Sequence, residues 1–178
     1  MYIVSQIKSG FLLIDQQAAH ERVLYEEFLS VLEKQQTFVQ KELFAKNITL
    51  SPTDAALLKE LLPQINQLGF DIREFGQDSF VIHGVPAELK SAQNEQKIIE
   101  KLLEQYKANL DLKLDLKENI ARAMARGAAI KRGQPLTIEE MKNLIDKLFA
   151  CQVPFKSPSG RNTFLTFDLE ELDKKFKS

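Results

Sequence analysis

The sequence predicts an α+β fold, and three observations carry that expectation. Two short apolar runs at the amino end flank a turn cluster and lead directly into a charged amphipathic helix. A helix, strand, strand, helix order follows in the middle of the chain. A last apolar strand near the carboxyl end is available to join the first pair. At 178 residues the chain is long enough for one sizeable core or two small lobes.

Taken in order, Ile3, Val4 and Ile7, then residues 11–14 (FLLI), read as two strands around Lys8, Ser9 and Gly10, a cluster suited to closing a hairpin. Asp15 stands where a helix cap belongs. From residue 16 to about residue 34, Ala18, Leu24, Phe28 and Leu32 recur at roughly helical spacing, so one face can pack on the preceding sheet. Residues 37–50 (TFVQKELFAKNITL) alternate loosely and read as an extended segment. Ser51, Pro52 and Asp54 open a helix as cap, donor-free first residue and acid in the positive first turn. That helix is expected to bury Leu57, Leu58, Leu61, Leu62 and Ile65, to bend at Pro63 and to close at Gly69. FDIREF and SFVIHGV, separated by Gly76, Gln77 and Asp78, form a strand pair, with His83 an ordinary strand residue.

Residues 94–108 (NEQKIIEKLLEQYKA) place Ile98, Ile99, Leu102, Leu103 and Tyr106 at helical intervals, and residues 109–115 read as a linker. Residues 116–132 (LKENIARAMARGAAIKR) read as a helix rich in small residues and locally basic through Arg122, Arg126, Lys131 and Arg132, a candidate set of DNA phosphate contacts. Thr137 and Glu140 form a capping box for a helix whose inner face carries Met141, Leu144, Ile145 and Leu148. A strand over residues 163–167 and a short helix opened by Asp168 finish the chain.

Composition narrows the classes. The 24 basic residues balance 25 acidic ones, a formal charge of -1, so any DNA contact must be local. Cys151 is the single cysteine, which excludes an intramolecular disulfide framework and fits a reducing compartment. No run approaches the roughly 18 apolar residues needed to span a bilayer. The chain therefore reads as soluble and cytoplasmic, without a membrane partner. The strand-like YIVSQI directly after Met1 is what a fragment excised from a longer protein would show.

The string DQQAAHERVLYE, residues 15–26, resembles the motif DQHAxxExxxxE of the C-terminal domain of MutL-type DNA mismatch repair proteins. Asp15, Gln16, Ala18, Glu21 and Glu26 match it, while Gln17 stands where nuclease-competent members carry His. Positions 17 and 21 are one helical turn apart, so a His and a Glu there could grip one metal ion; a neutral amide is a poor ligand for zinc. His20 points about 100° away from Glu21 around the helix. ARGAAIK, residues 125–131, resembles the family's ACxxAIK, with Arg126 in place of Cys. Ser157-Pro158-Ser159-Gly160-Arg161 resembles the family's CPHGR loop, with Ser157 and Ser159 in place of its Cys and His. Gln17, Arg126, Ser157 and Ser159 are thus lost-ligand positions, and Asp15 and Glu21 are left as weak metal candidates. Gln40, Leu43 and Phe44 resemble the short peptides that dock on the bacterial sliding clamp.

The resemblance spans nearly the whole chain in order. It implies a two-lobe architecture: residues 1–46 with 116–178 as a dimerisation lobe, and residues 47–115 as an inserted external, regulatory lobe. It further implies a homodimerisation and partner-docking domain without robust nuclease activity. Expected partners are a second copy, the sliding clamp and other mismatch repair proteins, with DNA bound weakly or through the full-length protein. No cofactor is expected in this domain; ATP and magnesium belong to an N-terminal ATPase outside the chain. The competing expectations are a divergent nicking endonuclease using Asp15, Glu21 and His20, and a DNA-binding surface on residues 116–132.

Overall fold

The computed structural model describes residues 2–34, 40–86 and 95–177, without the side chains of residues 40–44, 171, 172, 175 and 177. Helices and two small antiparallel sheets make an α+β chain. It divides into two compact units: residues 1–25 with 129–178, and residues 26–128.

In the first unit, β1 (Tyr2–Ile7) and β2 (Gly10–Asp15) form the expected hairpin, with Ile7 opposite Gly10 and Tyr2 opposite Asp15. β6 (Phe164–Asp168) pairs with the other edge of β2, from Phe167 opposite Phe11 to Phe164 opposite Ile14. The sheet order is therefore β1-β2-β6. Side chains alternate across a sheet, so Ile3, Leu12 and Ile14 point to one face. There they cluster with Ala19 and Val23 of α1 (Gln16–Lys34) and with Leu144 and Leu148 of α5 (Ile138–Ala150). The opposite face is also apolar. It carries Val4, Leu13 and Leu165 in one row across the three strands, flanked on one side by Phe11 and Phe167 with the exposed Gln6 and on the other by Tyr2 with Asp15. Tyr2, Val4 and Leu165 are 58%, 67% and 48% exposed.

The caps form where their chemistry places them. Asp15 Oδ1 accepts from the amides of Gln17 and Ala18, both at 3.0 Å. Thr137 and Glu140 close a full capping box on α5. A helix, α6 (Leu169–Lys177), follows β6.

The second unit holds the sheet β3-β5-β4, from β3 (Gln40–Thr49), β4 (Asp71–Glu74) and β5 (Ser79–Val85). With it are α2 (Pro52–Gln67), α3 (Glu95–Ala108), α4 (Leu116–Ala128) and the later turns of α1. Phe70, Ile72, Phe80, Ile82, Leu58, Leu61, Ile99, Leu102 and Leu103 are buried here. Leu57 and Leu62, expected on the buried side of α2, are only half-buried.

Two further features depart from the expected elements. The expected linker contains one 3-10 turn, Leu110–Leu112, ended by Lys113 in the left-handed region at φ 53°. The basic helix stops at Ala128, short of Lys131 and Arg132, because the Ile130 amide donates to His20 Nδ1 at 3.0 Å in place of a helical carbonyl. A turn at Gly133, φ 89°, then redirects the chain.

Candidate functional site

Asp15, Glu21, Ser157, Ser159, Arg132 and Arg161 meet in the first unit, where the end of β2, the second turn of α1 and the loop before β6 come together. Glu21 is 2% exposed. Its Oε2 accepts from Arg161 Nη2 and from Ser159 Oγ, each at 3.2 Å. Its Oε1 is buried with no hydrogen-bond partner among the described residues. Asp15 turns Oδ1 to the helix amides and Oδ2 toward two guanidinium groups, Arg132 at 3.7 Å and Arg161 at 3.9 Å.

The loop is a tight turn built on its own atoms. Ser157 N–H donates to the Arg161 carbonyl at 2.8 Å and Gly160 N–H to the Ser157 carbonyl at 2.9 Å. Gly160 supplies a φ of 82° there, a conformation that a side chain disfavours. Ser157 and Ser159 share a hydroxyl hydrogen bond at 2.9 Å, and Ser157 Oγ accepts from the Arg161 amide at 3.3 Å. Arg22 on α1 donates to the Lys156 carbonyl.

This donor set suits a zinc ion poorly. Zinc prefers thiolate, imidazole and carboxylate ligands, and here the loop offers two hydroxyls, one hydrogen-bonded to the other and one donating to Glu21. One carboxylate is spent on a helix cap and the other faces an arginine. Among the described residues no group of three or more His, Cys, Asp or Glu converges.

His20 is engaged elsewhere. Its Nδ1 accepts from Ile130, and burial, helped by the positive charge of Lys147, lowers its pKa from 6.5 to about 4. The imidazole is neutral in the folded chain at neutral pH. Because the folded pKa lies below the unfolded one, its contribution to stability is complete above pH 6.5 and is lost as pH falls toward 4. The loss is at most about 3 kcal/mol. Urea unfolding of the parent between about pH 7 and about pH 4.5 should therefore slope more steeply than that of His20→Gln. Equal slopes would contradict a neutral buried imidazole.

The remaining predicted site residues are dispersed along the chain. Gln17 is half-buried one turn before Glu21, and Glu26 is half-buried further along α1. Arg126 is exposed and Arg122 half-buried on α4, while Lys131 and Arg132 are exposed in the turn after it. Gln40, Leu43 and Phe44 lie in β3, and their side chains fall outside the described residues. Sequence reasoning missed the partner of Glu21. Arg161 enters the sequence reading only as the last residue of the loop motif, and its pairing across 140 positions leaves no trace in local spacing.

No helix among the described residues is long and apolar enough to cross a membrane. Residues 1–136 match the family described as the MutL C terminal dimerisation domain. The chain is 40% identical to the DNA mismatch repair protein MutL of Chloroherpeton thalassium over 98% of its own length and 27% of the relative's. It is 39% identical to that of Chlorobaculum tepidum, again over 98% of its own length and 28% of the relative's. The chain thus spans little more than a quarter of the curated relatives it matches, and both cover the 157–161 loop, which lies beyond the family match.

Proposed function

The chain belongs to the MutL C-terminal dimerisation domain family, and we propose that it pairs two copies through the outer face of the β1-β2-β6 sheet. The observation that carries this is the apolar row Val4, Leu13 and Leu165, with Tyr2, Phe11 and Phe167 beside it, on a sheet whose other face already packs on helices. A sheet with one face on its core normally presents polar residues on the other, and a contiguous exposed apolar patch marks an association surface. A twofold pair would set the same patch on both copies against itself. In the parent protein, pairing would gather two ATPase arms by raising their effective concentration, a role that needs no active site. The division into a dimerisation lobe of residues 1–46 with 116–178 and an external lobe of residues 47–115 belongs to this proposal.

The test is Val4→Lys with Leu165→Lys. Two ammonium groups from each copy buried in an apolar contact are costly, and the dissociation constant should rise at least about a hundredfold, or about 2.7 kcal/mol. A pair of unchanged affinity would remove this face from the proposal.

The same proposal assigns no robust nuclease activity to the Asp15 and Glu21 cluster, since both carboxylates have structural partners. That Oε1 of Glu21 has no hydrogen-bond partner among the described residues is the observation that favours the competing nicking endonuclease. Nicking of supercoiled plasmid with manganese or zinc, by the full-length parent with its clamp supplied, decides between them. Nicking that vanishes in Asp15→Asn would establish the nuclease. Clamp docking through Gln40, Leu43 and Phe44, and phosphate contacts by Arg122, Arg126, Lys131 and Arg132, extend the docking role. The latter predict an affinity for DNA that falls steeply with salt.

A further inference from the structure

We propose that Arg161 is a positioning residue for the association face: by holding Glu21 and Asp15 it fastens the 154–163 loop to α1 and thereby fixes strand β6. The inference rests on the pairing surface proposed above, and concerns how that surface is kept in place.

β6 is five residues long and lies at the edge of the sheet, paired along one side to β2. It contributes Leu165 and Phe167 to the outer face, where Phe167 stacks on Phe11 with ring centroids 5.0 Å apart. So short an edge strand needs support beyond its ladder. The support enters at Thr163, fully buried at 0% exposure. Its carbonyl accepts from the Asp15 amide at 2.9 Å, its amide donates to the Phe155 carbonyl at 3.2 Å, and its hydroxyl donates to the Pro154 carbonyl. Thr163 is therefore tied both to the end of β2 and to the start of the loop.

The loop in turn is tied to α1 at two adjacent helix positions. Glu21 receives Arg161 and Ser159, and Arg22 donates to the Lys156 carbonyl. A carboxylate buried to 2% exposure is costly unless its oxygens find charge or donors. Both groups that meet this need on Glu21 come from the turn, so the burial of Glu21 and the seating of the turn are coupled. Without Arg161, one hydroxyl faces a buried carboxylate whose other oxygen has no partner among the described residues. Lifting the turn into water relieves that cost and loosens Thr163, the entry to β6.

The test is hydrogen exchange in a Val4→Lys background, where the pairing surface is disrupted and protection of β6 reports on the chain alone. Arg161→Ala should speed exchange of the β6 amides roughly tenfold while the β1 amides keep their rates. Arg161→Lys, which keeps the charge but not the forked donor, should fall between. With Val4 restored, Arg161→Ala should raise the dissociation constant of the pair roughly tenfold, or about 1.4 kcal/mol. Unchanged β6 exchange would overturn the proposal. So would acceleration shared equally by β1, which would mark general loosening, and so would an unaltered dissociation constant. If Val4→Lys leaves the pair intact, the pairing surface fails, and anchoring of β6 still stands or falls on the exchange difference.

Discussion

Gly10→Ala is expected to force the ends of β2 and β6 apart and to destabilise the chain by about 3 kcal/mol. A Cβ at this position would lie 1.9 Å from the Phe167 carbonyl oxygen and 2.9 Å from its carbon. Both are backbone atoms of the paired strand, one residue from Asp168, the register partner of Gly10. Overpacking costs about 1–3 kcal/mol, occasionally more, through off-rotamer side chains and backbone shifts. A carbonyl held in a ladder cannot give way as a rotamer can, so the upper end of that range applies. Displacement of Phe167 would also break its stack on Phe11. Urea unfolding should show the loss, and hydrogen exchange should place it at β2 and β6. A loss under about 1 kcal/mol would mean that the strand ends slide apart freely.

Phe80→Ala should cost more, about 3–5 kcal/mol, as removal of a fully buried aromatic side chain does. Phe80 is 0% exposed on the central strand of the second sheet, between Ile48 and Glu74. The expected loss approaches the whole stability of an ordinary domain, roughly 5–15 kcal/mol. Denaturation should therefore shift strongly, with exchange fastest in β3, β4 and β5. Self-association should persist wherever the variant is still folded, since Phe80 lies outside the unit that carries the outer face. A folded but monomeric variant would place the pairing surface elsewhere.

Local chemistry was legible in the sequence. Ser51 accepts from the Asp54 amide, Thr137 and Glu140 cap α5 reciprocally, and Asp15 caps α1, each as a short-range pattern of side chain and amide. The hairpin at Lys8 to Gly10 and the strand pair around Gly76 follow from turn residues between apolar runs. Long-range arrangements were not legible. That β6 returns to β2 sets Leu165 beside Leu13 and makes the outer face continuous, yet neither strand alone signals it. The end of α4 was missed because a histidine 110 positions earlier takes the Ile130 amide. In the candidate site, the motif spacing located Asp15 and Glu21, but the arginine that faces them comes from a loop whose approach depends on the whole first unit.

Whether this domain pairs with itself through the outer sheet face is decided by the molar mass of the unaltered chain across a dilution series, measured by light scattering beside Val4→Lys. One chain weighs 20.3 kDa. The unaltered chain should give twice 20.3 kDa at micromolar concentration and fall toward the single-chain value on dilution, while Val4→Lys should give the single-chain value throughout. A mass of 20.3 kDa for the unaltered chain at every concentration, or a Val4→Lys variant that pairs as tightly as the parent, would contradict pairing through that face.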